Sequence, residues 1–169
     1  MPRHTVDNDV LIAEIDKFLK EGRPVTFLAK GYSMLPFITG WAESVEMHRL
    51  ERPPRRGDIL LAKVTSGHYV LHRVVQVDAS GRITLMGDGN YRGKESCTVD
   101  DVVGIAMYAI DYKGHKRDLY TPWRMFASRL WWKMIPFRRY LLAAYRRTLM
   151  RWTLHKAGVK TKGWRVAEV

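Results

Sequence analysis

The spacing of hydrophobic residues changes twice along the chain, and each change predicts a different kind of secondary structure. Near the start, apolar residues recur three or four positions apart, which is typical of an amphipathic helix: Leu11, Ile15, Phe18 and Leu19. Short apolar and β-branched runs separated by Gly, Pro and Ser turns then predict strands over residues 25–29, 44–49, 58–64, 69–77, 82–86 and 102–110. After Pro122 the helical spacing returns.

This order of elements favours a mainly β chain with an antiparallel, coiled or barrel-like sheet. We expect an N-terminal amphipathic helix at residues 1–24, a β domain at 25–112, a basic helical extension at 113–155 and a basic tail at 156–169. Pro136 is expected to divide the extension into two helices, because an interior proline removes a hydrogen bond. The predicted apolar face of the first helix consists of Trp123, Phe126, Ala127, Leu130, Trp131 and Met134.

Charge separates the extension from the rest of the chain. The net charge is +12, yet residues 1–112 sum to −1 and residues 113–169 sum to +13. Basic and aromatic residues at 123–152 fit an interfacial helix on an anionic membrane surface. They also fit an apolar face that packs on the β domain while the arginines face solvent. Nucleic acid is the least favoured partner.

Other features of the composition narrow the class of protein. No stretch reaches the roughly 18 uncharged apolar residues of a spanning helix, and acidic residues near the N-terminus argue against a signal peptide. We therefore expect a cytoplasmic protein that is peripheral at a membrane if the extension contacts one. Cys97 is the only cysteine, and the six histidines show no metal-ligand spacing, so we expect no metal or cofactor.

The segment Gly31-Tyr32-Ser33-Met34-Leu35-Pro36 is the first candidate for chemistry. Gly31 can adopt backbone angles that other residues avoid, and Pro36 restricts the residue before it. A sharp bend here would display Ser33 beside backbone N–H groups that are free to bind an oxyanion. Taken alone, a serine in such a turn is usually only a turn residue.

Three further segments follow Ser33 in the chain: Gly57-Asp58, a strand with His72-Arg73, and the turn Gly87-Asp88-Gly89-Asn90. On that strand His72 shares a face with Val70 and Val74. A neutral imidazole can take the proton of a serine hydroxyl near pH 7. Taken alone, a strand histidine such as His72 is more often a partly buried residue that is hydrogen-bonded to the backbone.

In order and approximate spacing, these segments resemble the motifs of the signal peptidase and LexA-type serine peptidase superfamily. The resemblance covers roughly residues 25–110, and the His72-Arg73 pair is similar to the endoplasmic-reticulum type of signal peptidase. It implies a serine endopeptidase with Ser33 as nucleophile and His72 as general base.

The remaining roles follow from the same assignment. Asp88 is expected to orient the imidazole, although the segment 87–90 is equally typical of an ordinary turn. The backbone N–H groups of Ser33 and Tyr32 are expected to form the oxyanion hole. Asp58 is expected to be structural, and loop 91–96 offers no clear counterpart of the second acid in the endoplasmic-reticulum enzymes. The substrate would be a peptide bound as an extended strand. The alternative is a non-catalytic or self-cleaving regulatory module whose basic tail binds membrane, nucleic acid or a partner.

Overall fold

The computed structural model describes residues 8–158 and contains eight strands and four α-helices in that range. Helix α1 (Asn8–Lys20) precedes all the strands. The strands are β1 (Val25–Leu28), β2 (Ser44–His48), β3 (Ile59–Lys63), β4 (Tyr69–Val77), β5 (Ile83–Met86), β6 (Glu95–Cys97), β7 (Val102–Ile110) and β8 (Lys116–Asp118). The C-terminal helices are α2 (Pro122–Lys133), α3 (Ile135–Tyr145) and α4 (Arg151–Lys156), with a π-helical turn at Arg146–Met150 between the last two.

All strand pairs are antiparallel and belong to one sheet with the order β1-β2-β7-β3-β4-β5-β6. Strand β8 adds to the end of β7 through the pairs Tyr108–Asp118 and Ile110–Lys116. The sheet is open, since β1 and β6 end this path and do not pair with each other in the described part of the chain. A mainly β, antiparallel chain with helices at both ends is therefore confirmed, and closure into a barrel is not found.

The sheet buries apolar side chains on both faces. On one face, Ile15 and Leu19 of α1 pack in a cluster with Val45, Met47 and Ile59. Gly104 permits this contact, since a Cβ there would lie 2.6 Å from Leu19 Cδ1 and 2.7 Å from the His48 carbonyl oxygen. The second cluster contains Leu60, Val74, Ile83, Leu85 and Ile105.

The C-terminal helices pack on the turn that follows β1. Their residues Leu142, Met150 and Leu154 form a cluster with Leu35 and Ala42 of that turn. The extension therefore supplies part of the core beside Ser33.

The predicted apolar face of α2 differs from the face that packs inward. Trp123, Phe126 and Leu130 expose 74%, 54% and 49% of their surface, whereas Trp131 is partly buried. Pro136 lies in the first turn of α3, where a missing N–H costs no helical hydrogen bond, so the second helix already begins at Ile135.

Two other findings concern the predicted segments. Lys116–Asp118 forms β8, so the sheet continues into the range assigned to the extension. Residues 159–169 of the predicted tail lie outside the described residues.

No helix between residues 8 and 158 combines the length and apolar character needed to cross a bilayer.

Candidate active site

Ser33 lies in a compact turn between β1 and β2, and its neighbours fix the turn in place. Met34 is buried in the cluster under α1, while Leu35 is buried under the C-terminal helices. The N–H of Leu35 donates to the Tyr32 carbonyl at 3.2 Å. Gly31 has a φ of +82°, a conformation that glycine adopts without strain. The half-buried Ser33 is thus held between two anchored residues.

The backbone N–H groups of Tyr32 and Ser33 donate no hydrogen bond to any residue between 8 and 158. Donors of this kind, fixed in direction before a substrate arrives, are what an oxyanion hole requires. The Ser33 carbonyl, by contrast, accepts a 2.7 Å hydrogen bond from Gly89 N–H. That bond ties the serine turn to the turn at residues 87–90.

Gly87 lies where the serine turn and His72 meet. A Cβ at this position would come within 2.4 Å of the Ser33 carbonyl oxygen and 3.1 Å of His72 Nε2. A Cβ at Gly89 would lie 2.2 Å from the Tyr32 carbonyl oxygen. These distances leave no space for a side chain, so both glycines are needed for the two turns to approach. The sequence-predicted Ser33 and His72 are thereby brought to the same site.

His72 is a buried residue of β4 with a carboxylate partner. Its Nδ1 lies 2.6 Å from Glu95 Oε2, so Nδ1 carries the proton and Nε2 is the free acceptor beside Gly87. Burial lowers the pKa of His72 below its ordinary value, although the charge and hydrogen bond of Glu95 oppose this shift. The imidazole is therefore neutral near pH 7, which is the form that can accept a proton.

Glu95 was missed by the sequence analysis, which found no second acid in loop 91–96. It lies in β6, a strand too short to show alternation, but it is the only acidic residue between Asp88 and Asp100. The register explains its position. Glu95 pairs with Leu85, Leu85 pairs with Val74, and Val74 shares a face of β4 with His72. Its other oxygen lies 3.4 Å from His68 Nε2.

The expected contact between Asp88 and His72 is not present among the described residues, and this expectation is corrected. Asp88 is fully buried and accepts three hydrogen bonds from Arg73, at 3.0, 3.0 and 2.8 Å. Arg73 also donates to the Gly57 carbonyl at 2.8 Å. Because Arg73 and His72 are neighbours on a strand, they face opposite ways, and Asp88 lies on the Arg73 side. The carboxylate that orients the imidazole is Glu95.

Asp58 has the structural role expected of it. Both of its oxygens accept 2.8 Å hydrogen bonds from Arg52, and one also accepts the backbone N–H of Arg55. These bonds close the turn before β3.

Ser33 and His72 line a cavity of about 580 Å³ together with His68. Apolar residues form much of its wall, including Leu11 and Ile12 of α1 and Phe27 and Leu28 of β1. Strand β1 pairs only with β2 in the described sheet, so its outer edge is available to an extended chain. Within residues 8–158, no group of three His, Cys, Asp or Glu side chains could hold a metal ion.

The arrangement of Ser33, His72 and Glu95 combines a hydroxyl, a neutral base and a carboxylate beside two free N–H donors. Comparisons with protein-family models, with curated proteins and with solved structures found no match to this chain. Function is therefore inferred from the residues of the site itself.

Proposed function

We propose that the protein is a serine endopeptidase of the signal peptidase and LexA type, in fold and in chemistry. The observation that carries the proposal is the 2.6 Å contact between His72 Nδ1 and Glu95, which leaves Nε2 as acceptor on the side where the Ser33 turn packs. Ser33 and His72 also line the same cavity, which further supports the proposal.

The proposed reaction begins with attack of Ser33 Oγ on the carbonyl carbon of a peptide bond. His72 Nε2 takes the hydroxyl proton, and Glu95 stabilises the imidazolium that results. The N–H groups of Tyr32 and Ser33 stabilise the charge that develops on the carbonyl oxygen. The imidazolium then gives its proton to the leaving amine, and water hydrolyses the acyl-enzyme with His72 again as the base.

The substrate proposed for this site is a peptide in extended conformation. The outer edge of β1 offers backbone groups for pairing, and the apolar wall beside it offers space for alternate side chains.

We also propose that residues 123–152 contact an anionic membrane surface. Exposed Trp123 and Phe126 stack on each other on a helix that carries basic and no acidic residues, which supports an interfacial position.

The direct test is labelling of the intact protein with a fluorophosphonate, located by peptide mass spectrometry. We expect the label on Ser33, with loss of labelling and of peptide cleavage in Ser33→Ala and in His72→Phe. Ser80→Ala, in the exposed turn before β5, is the matched control and should behave as wild type. A wild-type protein that is neither labelled nor able to cleave itself or a peptide would refute the proposal and favour the non-catalytic module.

A further inference from the structure

A second cavity, of about 650 Å³, lies between the sheet and helices α2 and α3. It is distinct from the cavity that contains Ser33, since the two share no lining residue. Its basic lining residues are Arg56, Arg73, Lys94, Arg129 and Lys133. Its apolar walls include Val74, Met125, Trp132 and Ile135.

Four of the five basic residues are free to bind an anion. Arg73 is neutralised by Asp88, but the side chains of Arg56, Lys94, Arg129 and Lys133 make no ion pair or hydrogen bond with any residue in the described range. No carboxylate lines the cavity. All four side chains are exposed around a space with apolar walls, so they give the cavity a positive potential that added salt weakens.

A fifth unneutralised charge lies behind one wall. The Arg138 guanidinium is fully buried and lies 4.9 Å from the centre of the Trp132 ring. It donates to the carbonyl oxygens of Asn90 and Trp131, but its Nε has no partner and no carboxylate is bonded to it in the described chain. A buried cation without a counter-ion is unfavourable, and a negative ligand on the other side of Trp132 would offset part of that cost.

The groups that surround the cavity match the chemistry of a phosphate ester. Guanidinium and ammonium groups form short, charge-assisted hydrogen bonds with phosphate oxygens, and the apolar wall can contact the organic part of the molecule. We propose that this cavity binds a phosphate-bearing ligand, and that its phosphate contacts Arg129 and Lys133 of α2.

Two sources of such a phosphate are a soluble ester and a lipid headgroup. Lys133 is seven residues from Phe126, so the two side chains lie only about 20° apart around α2. The exposed aromatic residues thus adjoin the basic side of the helix, as a headgroup site at a bilayer surface would require. This inference is independent of the peptidase proposal, and Ser33→Ala should bind phosphate as wild type does.

The first arm of the test is calorimetric titration with glycerol phosphate, using the full chain. We expect binding that weakens with added salt, and a loss of about tenfold or more in Arg129→Gln/Lys133→Gln, since hydrogen bonds to charged groups are worth that much. The control Arg139→Gln/Arg147→Gln removes the same charge from exposed positions outside the cavity and should change the affinity less than about twofold.

The second arm is co-sedimentation with phosphatidylcholine vesicles with and without phosphatidic acid. If the source is a lipid, only the vesicles with phosphatidic acid should bind, and both Arg129→Gln/Lys133→Gln and Trp123→Ser/Phe126→Ser should release the protein. If the source is soluble, Trp123→Ser/Phe126→Ser should bind glycerol phosphate as wild type does and vesicles should not bind. No binding in either arm, or equal loss in the cavity and control variants, would overturn the proposal.

Discussion

Asp88→Asn is predicted to reduce mainly stability, and Glu95→Gln to reduce mainly catalysis, although each replaces a carboxylate near His72. Asp88 is 0% exposed and its partner Arg73 is 3% exposed. The substitution Asp88→Asn leaves the Arg73 charge buried without its counter-ion. Breaking a buried pair in this way costs about 3–5 kcal/mol. For a chain of this size we expect a fall in melting temperature of roughly 6–20 °C.

Glu95→Gln should lower the stability only slightly and the catalytic activity strongly. Its side chain is 27% exposed, and a glutamine can still accept the hydrogen bond from His72 Nδ1, so we expect a loss of about 1 kcal/mol or less. The neutral amide cannot stabilise the imidazolium of the transition state. We expect kcat to fall by up to about 10⁴-fold, the loss seen when the acid of a serine-protease triad is replaced by its amide.

The assay is urea unfolding followed by tryptophan fluorescence, with peptide cleavage measured well below each melting temperature. An Asp88→Asn protein as stable as wild type would refute the importance of the Arg73 pair. A Glu95→Gln protein with full activity would refute the assignment of Glu95 as the orienting acid. A Glu95→Gln protein less stable than Asp88→Asn would reverse both roles.

Three further predictions concern the same site. Because burial lowers the pKa of His72, kcat/KM should rise with pH to a plateau, with a midpoint below the ordinary histidine value of about 6.5. Glu95→Gln should move this midpoint lower still, since Glu95 raises the pKa of His72. A midpoint above about 6.5 would contradict this prediction. Gly87→Ala should lower activity more than Gly81→Ala in an exposed turn, because only Gly87→Ala places a Cβ against Ser33 and His72. Equal activities would contradict the close packing of the serine turn, Gly87 and His72. Trp131→Phe removes the 2.8 Å hydrogen bond to the Asp88 carbonyl, so it should lower the free energy of unfolding in urea by about 1 kcal/mol. Exposed Trp123→Phe should cause no measurable change. The reverse order would contradict the orientation of α2.

The sequence predicted the six strands that are rich in apolar and β-branched residues and missed two short, mostly polar strands. Residues 69–77 and 102–110 were predicted with their observed bounds, because β-branched and apolar residues fill them. Glu95–Cys97 and Lys116–Asp118 are three residues long and mostly polar. Their extended conformation depends on pairing with β5 and β7, which is tertiary context that a local pattern does not contain.

The lack of tertiary context also explains why the sequence assigned Asp88, and not Glu95, to His72. The alternation of β4 correctly separates His72 from Arg73, but only the register across β4, β5 and β6 decides which acid lies on each side. Met86 pairs with Arg73, so Asp88, two residues later, lies toward Arg73. Glu95 reaches the His72 face through Leu85 and Val74. The order of the motifs could place Ser33 and His72 in one site, but it could not choose between the two carboxylates.

The helical extension supports the turns of the candidate active site, so a truncation cannot separate this support from a role in membrane or phosphate binding. Trp131 Nε1 donates to the Asp88 carbonyl at 2.8 Å, and Arg138 donates to the Asn90 carbonyl at 2.7 Å. Leu142, from the same segment, covers Leu35 beside the nucleophile. Deleting the extension would therefore expose the serine turn and release the turn at 87–90 together with any membrane or phosphate contact. Loss of activity in a truncated protein would not identify which contact mattered. Exposed positions on α2 avoid this problem, because their side chains face away from both turns.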